Sequence, residues 1–323
     1  MRGAPRSVMA SQRGVALIIV IWIGTLLTLV ASSFIYAMRS DIHVVGNSLS
    51  RARLDAAASA GVQRAVLEMA KPLQLAGRWS TDGQPQTWEY AGATMNISIT
   101  DESAKVDLNA ANEALLRGLF QSQGLAAEEA AALTDALMDW KDPDTLKRLR
   151  GAEEPEYLAA GLGYKPANAP FQSIEELRLV LGMTPALYQR LAPLITIYSR
   201  QPGINSAIAG REVLRALPGV TEAQIDEFLV RRETARANKQ PIPVFPSPFA
   251  TSFSATNIAQ VRVEAALDDG STLVREATVL RLPNPKRSFT YLRWREGRAG
   301  EVNAPSVAPA GNEPAPKNPS AQT

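Results

Sequence analysis

Residues 15–38 read VALIIVIWIGTLLTLVASSFIYAM, 24 positions without one charged side chain. As an α-helix this segment would be about 36 Å long, and the hydrocarbon core of a bilayer is roughly 30 Å thick. The flank before it holds only basic charges, at Arg2, Arg6 and Arg13. This bias predicts that the short N-terminal flank stays in the cytoplasm and that the rest of the chain lies across the membrane, which for a bacterial inner membrane is the periplasm.

The boundary between flank and apolar segment allows three interpretations. Conventional secretion needs a shorter apolar core with a cleavage site beyond it, and the small residues near Ala31 and Ser33 leave that alternative open. An uncleaved membrane anchor is the second. In the third, Gly14 directly before the span resembles the leader of type IV pilins and pseudopilins, which a prepilin peptidase cleaves on the cytoplasmic side. This resemblance implies a cleaved leader of residues 1–14 and a methylated new N-terminus at Val15.

Position 19 is isoleucine, whereas most pseudopilins have glutamate at this fifth mature position. In an assembled filament that carboxylate offsets the buried N-terminal amine of the subunit ahead, which would be costly to leave unpaired. A subunit with nothing ahead of it needs no such carboxylate. The alternative is that Ile19 is one more lipid-facing residue of an ordinary anchor.

Composition excludes several classes of chemistry. The chain has no cysteine, which excludes disulfides and thiolate metal sites, and it has one histidine, His43, which makes histidine-rich zinc sites and Ser-His-Asp catalysis implausible. Lys and Arg total 34 against 32 for Asp and Glu, a net charge of +2. Nucleic acid is therefore not the expected partner.

Hydrophobic spacing after the span predicts the remaining elements. Apolar and small residues recur at helical spacing up to Pro72, which predicts one helix over residues 15–71. Alternation then predicts a β-hairpin at residues 88–100 around a turn at 91–93. Further strands are predicted at residues 254–266, 272–282 and 288–295. Between the two groups of strands, helices are predicted at residues 111–121, 126–140, 174–181, 185–194, 209–217 and 222–235.

These elements predict an α/β (α+β) architecture. It is a pilin-like fold with a long N-terminal transmembrane helix, a small antiparallel sheet and an inserted all-α domain. The sheet is divided between residues 72–107 and 238–299, the insert occupies residues 108–237, and the Ala- and Pro-rich residues 300–323 form a disordered tail.

An acidic loop in the insert is the candidate binding site. Asp142 and Asp144 stand two positions apart around a proline, and Glu153 follows about ten residues later, so several hard oxygens can converge on one point, as calcium requires. The spacing is not that of an EF-hand. The alternative is a solvated acidic loop balanced by interleaved cations at Lys141, Lys147, Arg148 and Arg150. We expect Trp140 and Tyr157 to be core anchors for the loop.

A second pattern in the insert is a repeated helix-turn-helix texture. Residues 217–220, Leu-Pro-Gly-Val, resemble the turn of helix-hairpin-helix DNA-binding modules. Residues 110–205 hold 12 acidic and 9 basic side chains, however, which suits a phosphate backbone poorly. We therefore expect this texture to serve packing.

Together, leader, span, strands and insert resemble the family of general secretion pathway protein K, a minor pseudopilin of the type II secretion system. The resemblance covers about residues 13–236. The most specific residues are Asp139-Trp140-Lys141-Asp142-Pro143-Asp144, Gly151-Ala152-Glu153, Tyr157, Ser173-Ile174-Glu175-Glu176-Leu177, Gly182-Met183 and Ile204-Asn205. The missing glutamate at Ile19 is also similar to that family's habit.

The resemblance implies a non-enzymatic subunit of the inner membrane, at the tip of a short pseudopilus. Its partners would be two other minor pseudopilins, the major pseudopilin and the prepilin peptidase, and no nucleic acid. It also implies bound calcium, with Asp142, Asp144 and Glu153 as ligands and Glu154 and Asp139 as further candidates. Residues 145–148, Thr-Leu-Lys-Arg, replace the further acids common in the family, which counts against a second metal ion.

Two alternatives from other functional classes remain open from the sequence. One is a membrane-anchored DNA-uptake protein that uses the helical insert. The other is a calcium-dependent periplasmic hydrolase that uses Asp142 and Glu153 around a bound ion.

Overall fold

The computed structural model describes residues 13–297 except 73–74, 76, 252–255 and 285–286, and it describes no side chain at residues 13–16, 35–43, 283–284 and 287. The predicted tail, residues 1–12 of the predicted leader and the side chain of His43 therefore lie outside the described part. The chain divides into two compact units, residues 1–56 and residues 57–323.

Helix α1 (Arg13–Ala70) is 58 residues long. It contains one segment apolar enough to cross a membrane, Leu17–Phe34, with a mean hydropathy of 2.3 and all of its side chains exposed. The helix ends two residues before Pro72, whose ring disfavours helical geometry at the preceding residue. These bounds differ from the predicted 15–71 by no more than two residues.

The second unit is built on a five-stranded sheet. Its order is β1-β2-β7-β8-β9 and all neighbours are antiparallel. The strands are β1 (Gln86–Tyr90), β2 (Ala93–Asp101), β7 (Ile258–Leu267), β8 (Thr272–Asn284) and β9 (Arg287–Glu296). The turn between β1 and β2 has positive φ at both Ala91 and Gly92, as a tight hairpin with right-handed strand twist requires.

One face of the sheet packs on the last turns of α1. The apolar side chains buried there include Ala58, Val62, Ala65, Met95, Ile97, Val261 and Val263. Gly61 allows the close approach, because a Cβ at this position would lie 2.8 Å from Cγ1 of Val263. The alternation of buried and exposed residues along β2 matches this single buried face.

A helical insert joins β2 to β7. Its helices are α2 (Glu113–Ser122), α3 (Ala127–Lys141), α4 (Glu154–Ala159), α5 (Pro185–Leu191), α6 (Arg211–Leu214) and α7 (Glu222–Ala237). It is not strictly all-α as predicted, since two-residue parallel pairs occur at β3 (Val106–Asp107) with β4 (Ile195–Thr196) and at β5 (Ile204–Asn205) with β6 (Ala250–Thr251). Such short pairs have no alternation that a sequence pattern could reveal. Residues Ile174–Leu179, predicted as α-helix, form a 3₁₀ helix.

The insert has its own apolar core. It is connected to the sheet at one end, where β2 ends and β7 begins. Asp101, the last residue of β2, pairs with Ala259 near the start of β7. At the same end, Arg281 donates its backbone N–H to the carbonyl of Asn257 at 2.7 Å and its Nη1 to the carbonyl of Met69 at 2.8 Å. The last turn of α1 therefore reaches the end of the sheet from which the insert projects.

Polar contacts fix the insert and its approach segments to the sheet unit. Lys105 Nζ bonds Gln260 Oε1 at 2.5 Å, Arg236 pairs with Asp82 at 2.7 Å, and Arg293 pairs with Glu175. Side chains of the sheet unit and of the insert therefore hold these two parts of the second unit together.

Candidate functional site

The acidic loop begins where a proline ends α3. Pro143 disfavours helical geometry at the residue before it, and Asp142 accordingly has φ −80° and ψ 156° while its N–H still bonds the carbonyl of Met138 at 3.0 Å. Asp144 follows on the loop, and its Oδ1 accepts the N–H of Leu146 at 2.8 Å. The Asp-Pro-Asp sequence thus moves both carboxylates off the helix.

Asp139, on the last turn of α3, organises the loop from inside. Its carboxylate is fully buried and accepts the backbone N–H of Arg148 at 3.2 and 3.3 Å. A Cβ on Gly151 would lie 1.9 Å from Asp139 Oδ2, so only glycine fits there. Burial, with Asp142 as a further cause, raises the pKa of Asp139 to about 6. Its carboxylate therefore binds loop backbone.

The remaining acids lie close enough to repel one another. Burial raises the pKa of Asp142, and the charge of Asp144 raises it further. Burial also raises the pKa of Glu153, the residue before α4, and the charges of Asp139, Asp142 and Asp144 add to this shift. Such mutual repulsion indicates a site that a cation would stabilise.

Three buried oxygens at this loop have no hydrogen-bond partner among the described residues. They are Oδ1 of Asp142, Oε1 of Glu153 and Oδ1 of Asn168. Asn168 has φ +47° and donates its Nδ2 to the backbone carbonyl of Asp144 at 2.6 Å. Buried oxygens are normally paired, and carboxylate and amide oxygens are ligands that calcium accepts. These two carboxylate oxygens and one amide oxygen are therefore of the chemical type that calcium binds.

The predicted ligands are not all brought together. Within the described ranges of residues 13–297, no group of three Asp, Glu, His or Cys side chains is arranged to hold a metal ion. Glu154 is exposed and faces Lys165 at 3.4 Å. Asn168, whose amide completes the set of unpaired oxygens, was absent from the sequence prediction, because nothing in its local sequence distinguishes it from a loop asparagine.

Aromatic side chains support the loop from below, as predicted. Trp140 and Tyr157 are buried with ring centroids 6.1 Å apart, and Phe171 stacks on Trp140 at 6.3 Å. The hydroxyl of Tyr157 accepts the N–H of Leu181 at 3.0 Å, and burial raises its pKa to about 12. Their assignment as core anchors is confirmed.

Lys141 is not one of the solvated cations that the alternative reading of the loop requires. Its Nζ donates to the backbone carbonyls of Leu108, Asn109 and Ala111 at 2.8, 3.3 and 3.4 Å. Burial lowers the pKa of Lys141 to about 8. This ammonium binds the start of the segment that leads into α2.

The predicted cleavage site and the Leu-Pro-Gly-Val turn lie outside the acidic loop. Gly14 and Val15 lie in the first turn of α1, where side chains are not described. In the Leu-Pro-Gly-Val turn, Leu217 is buried in the core of the insert and Gly219 has φ +75°. A Cβ on Gly118 of α2 would lie 2.2 Å from the backbone carbonyl oxygen of Ala216, so α2 packs directly on this turn.

A cleft of about 620 Å³ lies between the sheet and residues 172–198 of the insert. Its lining includes three ion pairs, Glu102 with Lys105, Glu175 with Arg293, and Glu276 with Arg262. The acidic loop does not contribute to this lining. Asp142 and Glu153, the two carboxylates that the hydrolase alternative would use, therefore lie outside this cleft.

Comparison with known proteins connects this fold and loop to one class. The family model "Type II secretion system (T2SS), protein K" matches residues 94–202. Type II secretion system protein K of Klebsiella pneumoniae is 31% identical over 204 residues, covering 57% of this chain and 62% of that protein. The protein of the same name from Pseudomonas aeruginosa is 28% identical over 240 residues, covering 67% of this chain and 72% of that protein.

A solved structure shares the fold. It is that of the GspK-GspI-GspJ complex from the enterotoxigenic Escherichia coli type 2 secretion system, of which one chain is similar with a TM-score of 0.54 and 19% identity, covering 78% of this chain and 99% of that one. The matched residues 94–202 include most of β2 and the acidic loop. Both similar proteins carry the same name as the family model. None of these relatives favours the DNA-uptake or hydrolase alternative.

Proposed function

We propose that this protein is a minor pseudopilin at the tip of the type II secretion pseudopilus, where it takes part in protein export across the outer membrane. Its role is mechanical and not enzymatic. The match of residues 94–202 to the protein K family model and the similarity to two proteins of that name support this. The match to the Klebsiella relative covers 62% of that protein, less than two thirds of its length.

The position of the insert carries this proposal. The insert joins β2 to β7 and projects from the end of the sheet that the last turn of α1 reaches, at Met69 and Arg281. In a filament built by stacking helical stems, a mass at that end of the head blocks the place of a subunit ahead. Ile19 agrees with this position, because a subunit with none ahead has no buried amine to neutralise.

The apolar part of α1 serves as the membrane stem. Leu17–Phe34 supplies a span of uncharged residues, and the basic flank before it favours an inner-membrane, N-terminus-in topology with the head in the periplasm. Processing by prepilin peptidase after Gly14, with methylation of Val15, would keep this stem. Apolar and small residues then allow stems of neighbouring subunits to associate.

The partners proposed are two other minor pseudopilins at the tip and the major pseudopilin below. The related E. coli chain was solved in a complex named GspK-GspI-GspJ, which supports partners of this type. Neither nucleic acid nor a catalysed reaction is part of the proposal.

Labelling of assembled filaments tests the tip position. Full-length protein with an epitope in the exposed turn at Asp269 is co-expressed with the other pseudopilins of its own system, and filaments are examined by immunogold microscopy. We expect one label at one end of each filament. A variant in which residues 108–237 are replaced by a short linker should lose this restriction. Label along the whole shaft with the intact insert would contradict the proposal.

We propose further that the acidic loop binds one calcium ion. Asp142 and Glu153 would supply carboxylate oxygens and Asn168 an amide oxygen, and Asp144 lies beside them. Asp139 would position the loop through its backbone contacts, and we keep it as a weaker ligand candidate. When bound, the ion supplies positive charge and oxygen coordination that hold α3, the loop and α4 together.

Calorimetric titration of the full-length protein in detergent tests this site. Asp142→Asn removes one proposed ligand charge and should weaken calcium binding at least about tenfold. Glu154→Gln is the matched control, because Glu154 is exposed and faces Lys165, and it should bind calcium like the unchanged protein. Equal affinities for the two variants would exclude the proposed ligand set.

A further inference from the structure

The cations of the loop between Asp144 and Gly151 pair with acidic side chains of the insert. Each reaches a carboxylate on a helix of the insert: Lys147 contacts Glu156 of α4 at 2.8 Å, Arg148 contacts Glu113 of α2, and Arg150 contacts Glu128 of α3 at 2.9 Å. The leucines between them face outward, with Leu146 77% and Leu149 86% exposed. Polar contacts, namely these ion pairs and backbone hydrogen bonds to Asp139 and Asp135, therefore hold this segment against the insert in place of apolar packing.

Arg148 differs from its two neighbours because it also faces the acids of the calcium loop. Its Nε lies 3.5 Å from Oδ1 of Asp139 and 3.9 Å from Oδ2 of Asp142, while Nη1 bonds Glu113. Its backbone N–H is the one that Asp139 accepts. One guanidinium thus stands among three carboxylates, one of which is a proposed calcium ligand.

A cation in this position has two physical effects. It reduces the repulsion among Asp139, Asp142 and their neighbours, which would otherwise weaken the folded loop when no metal is bound. It also repels a divalent ion held by the same Asp142 carboxylate, so that calcium binds less tightly than it would without Arg148. Lys147 and Arg150 pair with Glu156 and Glu128 instead and do not have the second effect.

We propose that Arg148 is a built-in counter-ion of the acidic loop, which stabilises the metal-free loop and lowers its calcium affinity by competing for Asp142. The second part rests on the calcium site proposed above. In consequence, the head would keep its fold when calcium is scarce.

The test compares Arg148→Met with Arg150→Met in the full-length protein in detergent. Both substitutions remove one guanidinium and keep an unbranched stem, but only Arg148 contacts the site acids. Thermal unfolding is measured with EDTA and with calcium, and calcium affinity by calorimetry. We expect Arg148→Met to lower the Tm in EDTA by about 3 °C relative to Arg150→Met and to bind calcium on the order of tenfold more tightly.

Equal calcium affinity and equal Tm in EDTA for the two variants would overturn the inference. If Arg148→Met folds only with calcium, that result supports it. If neither the unchanged protein nor Arg148→Met binds calcium, the proposed metal site fails, and the Tm in EDTA alone then decides the counter-ion: a specific loss in Arg148→Met supports it and no loss overturns it. Calcium binding by Arg148→Met alone would support full competition.

Discussion

Gly151→Ala is the substitution whose effect follows most directly from the geometry of the loop. An added Cβ would lie 1.9 Å from Oδ2 and 2.7 Å from Cγ of Asp139, whereas ordinary contact needs at least 3.4 Å. Asp139 is fully buried and holds the N–H of Arg148 at 3.2 and 3.3 Å, so it cannot move away without lengthening these bonds. The loop must therefore open or the carboxylate must lose its donors.

The expected cost can be estimated from these contacts. Loss of a hydrogen bond to a charged group costs about 1.5–3 kcal/mol, and alanine returns about 0.4–1 kcal/mol by restricting the unfolded chain, which leaves about 0.5–2.5 kcal/mol. For a domain of this size that corresponds to a Tm lower by about 1–10 °C.

Gly163→Ala is the matched control for this substitution. No described atom lies within 4 Å of its added Cβ, and its φ is not positive. We expect Gly163→Ala to leave the Tm unchanged or to raise it slightly. Scanning calorimetry of the full-length variants, with EDTA present, provides the measurement. Equal Tm values for the two variants would refute the role assigned to Asp139.

Two further predictions concern the stem and the metal site. Gly61→Ala should lower the free energy of unfolding by about 1 kcal/mol net, because overpacking against Val263 outweighs the gain in helix propensity. Gly46→Ala, with open space around its added Cβ, should raise the free energy of unfolding by up to about 1 kcal/mol. Chemical denaturation compares the two variants, and a change of the same sign in both would be inconsistent with the packing. Calcium affinity should fall as the pH is lowered toward the raised pKa values of Asp142 and Glu153, because burial and repulsion raise these pKa values and calcium needs the ionised carboxylates. Titrations at several pH values measure this, and a flat profile would oppose it.

The long-period features of the fold could be predicted from the sequence. The apolar run and its helical continuation give α1, and alternation gives β2 and β7 to β9 within a few residues, because these patterns repeat over many positions. The fold class is confirmed by these elements and by the similarity to a chain of the solved GspK-GspI-GspJ complex.

Short and irregular features could not be predicted. The parallel pairs of two residues, β3 with β4 and β5 with β6, depend on contacts between distant segments and not on a local pattern. Helix α4 contains only six residues with a proline in its first turn, too few to show a periodicity. Both belong to the frame that positions the loop.

The site was predictable in residue type but not in detail. Asp142, Asp144 and Glu153 could be chosen because hard oxygens at that spacing suit calcium, and this remains a prediction. Sequence alone did not show that Asp139 binds backbone amides or that Asn168 leaves an unpaired oxygen beside Asp144. Nor could it show that Arg148 pairs inward while Leu149 is exposed, since the usual expectation is the reverse.

The most direct test of the account is the mass of the N-terminus of the protein extracted from membranes. The proposal requires that the apolar part of α1 survives processing as the stem of a pseudopilin. We predict a mature chain that begins at Val15 with a methylated amine. An intact Met1, or a chain that begins beyond residue 30 and so lacks the stem, would contradict it.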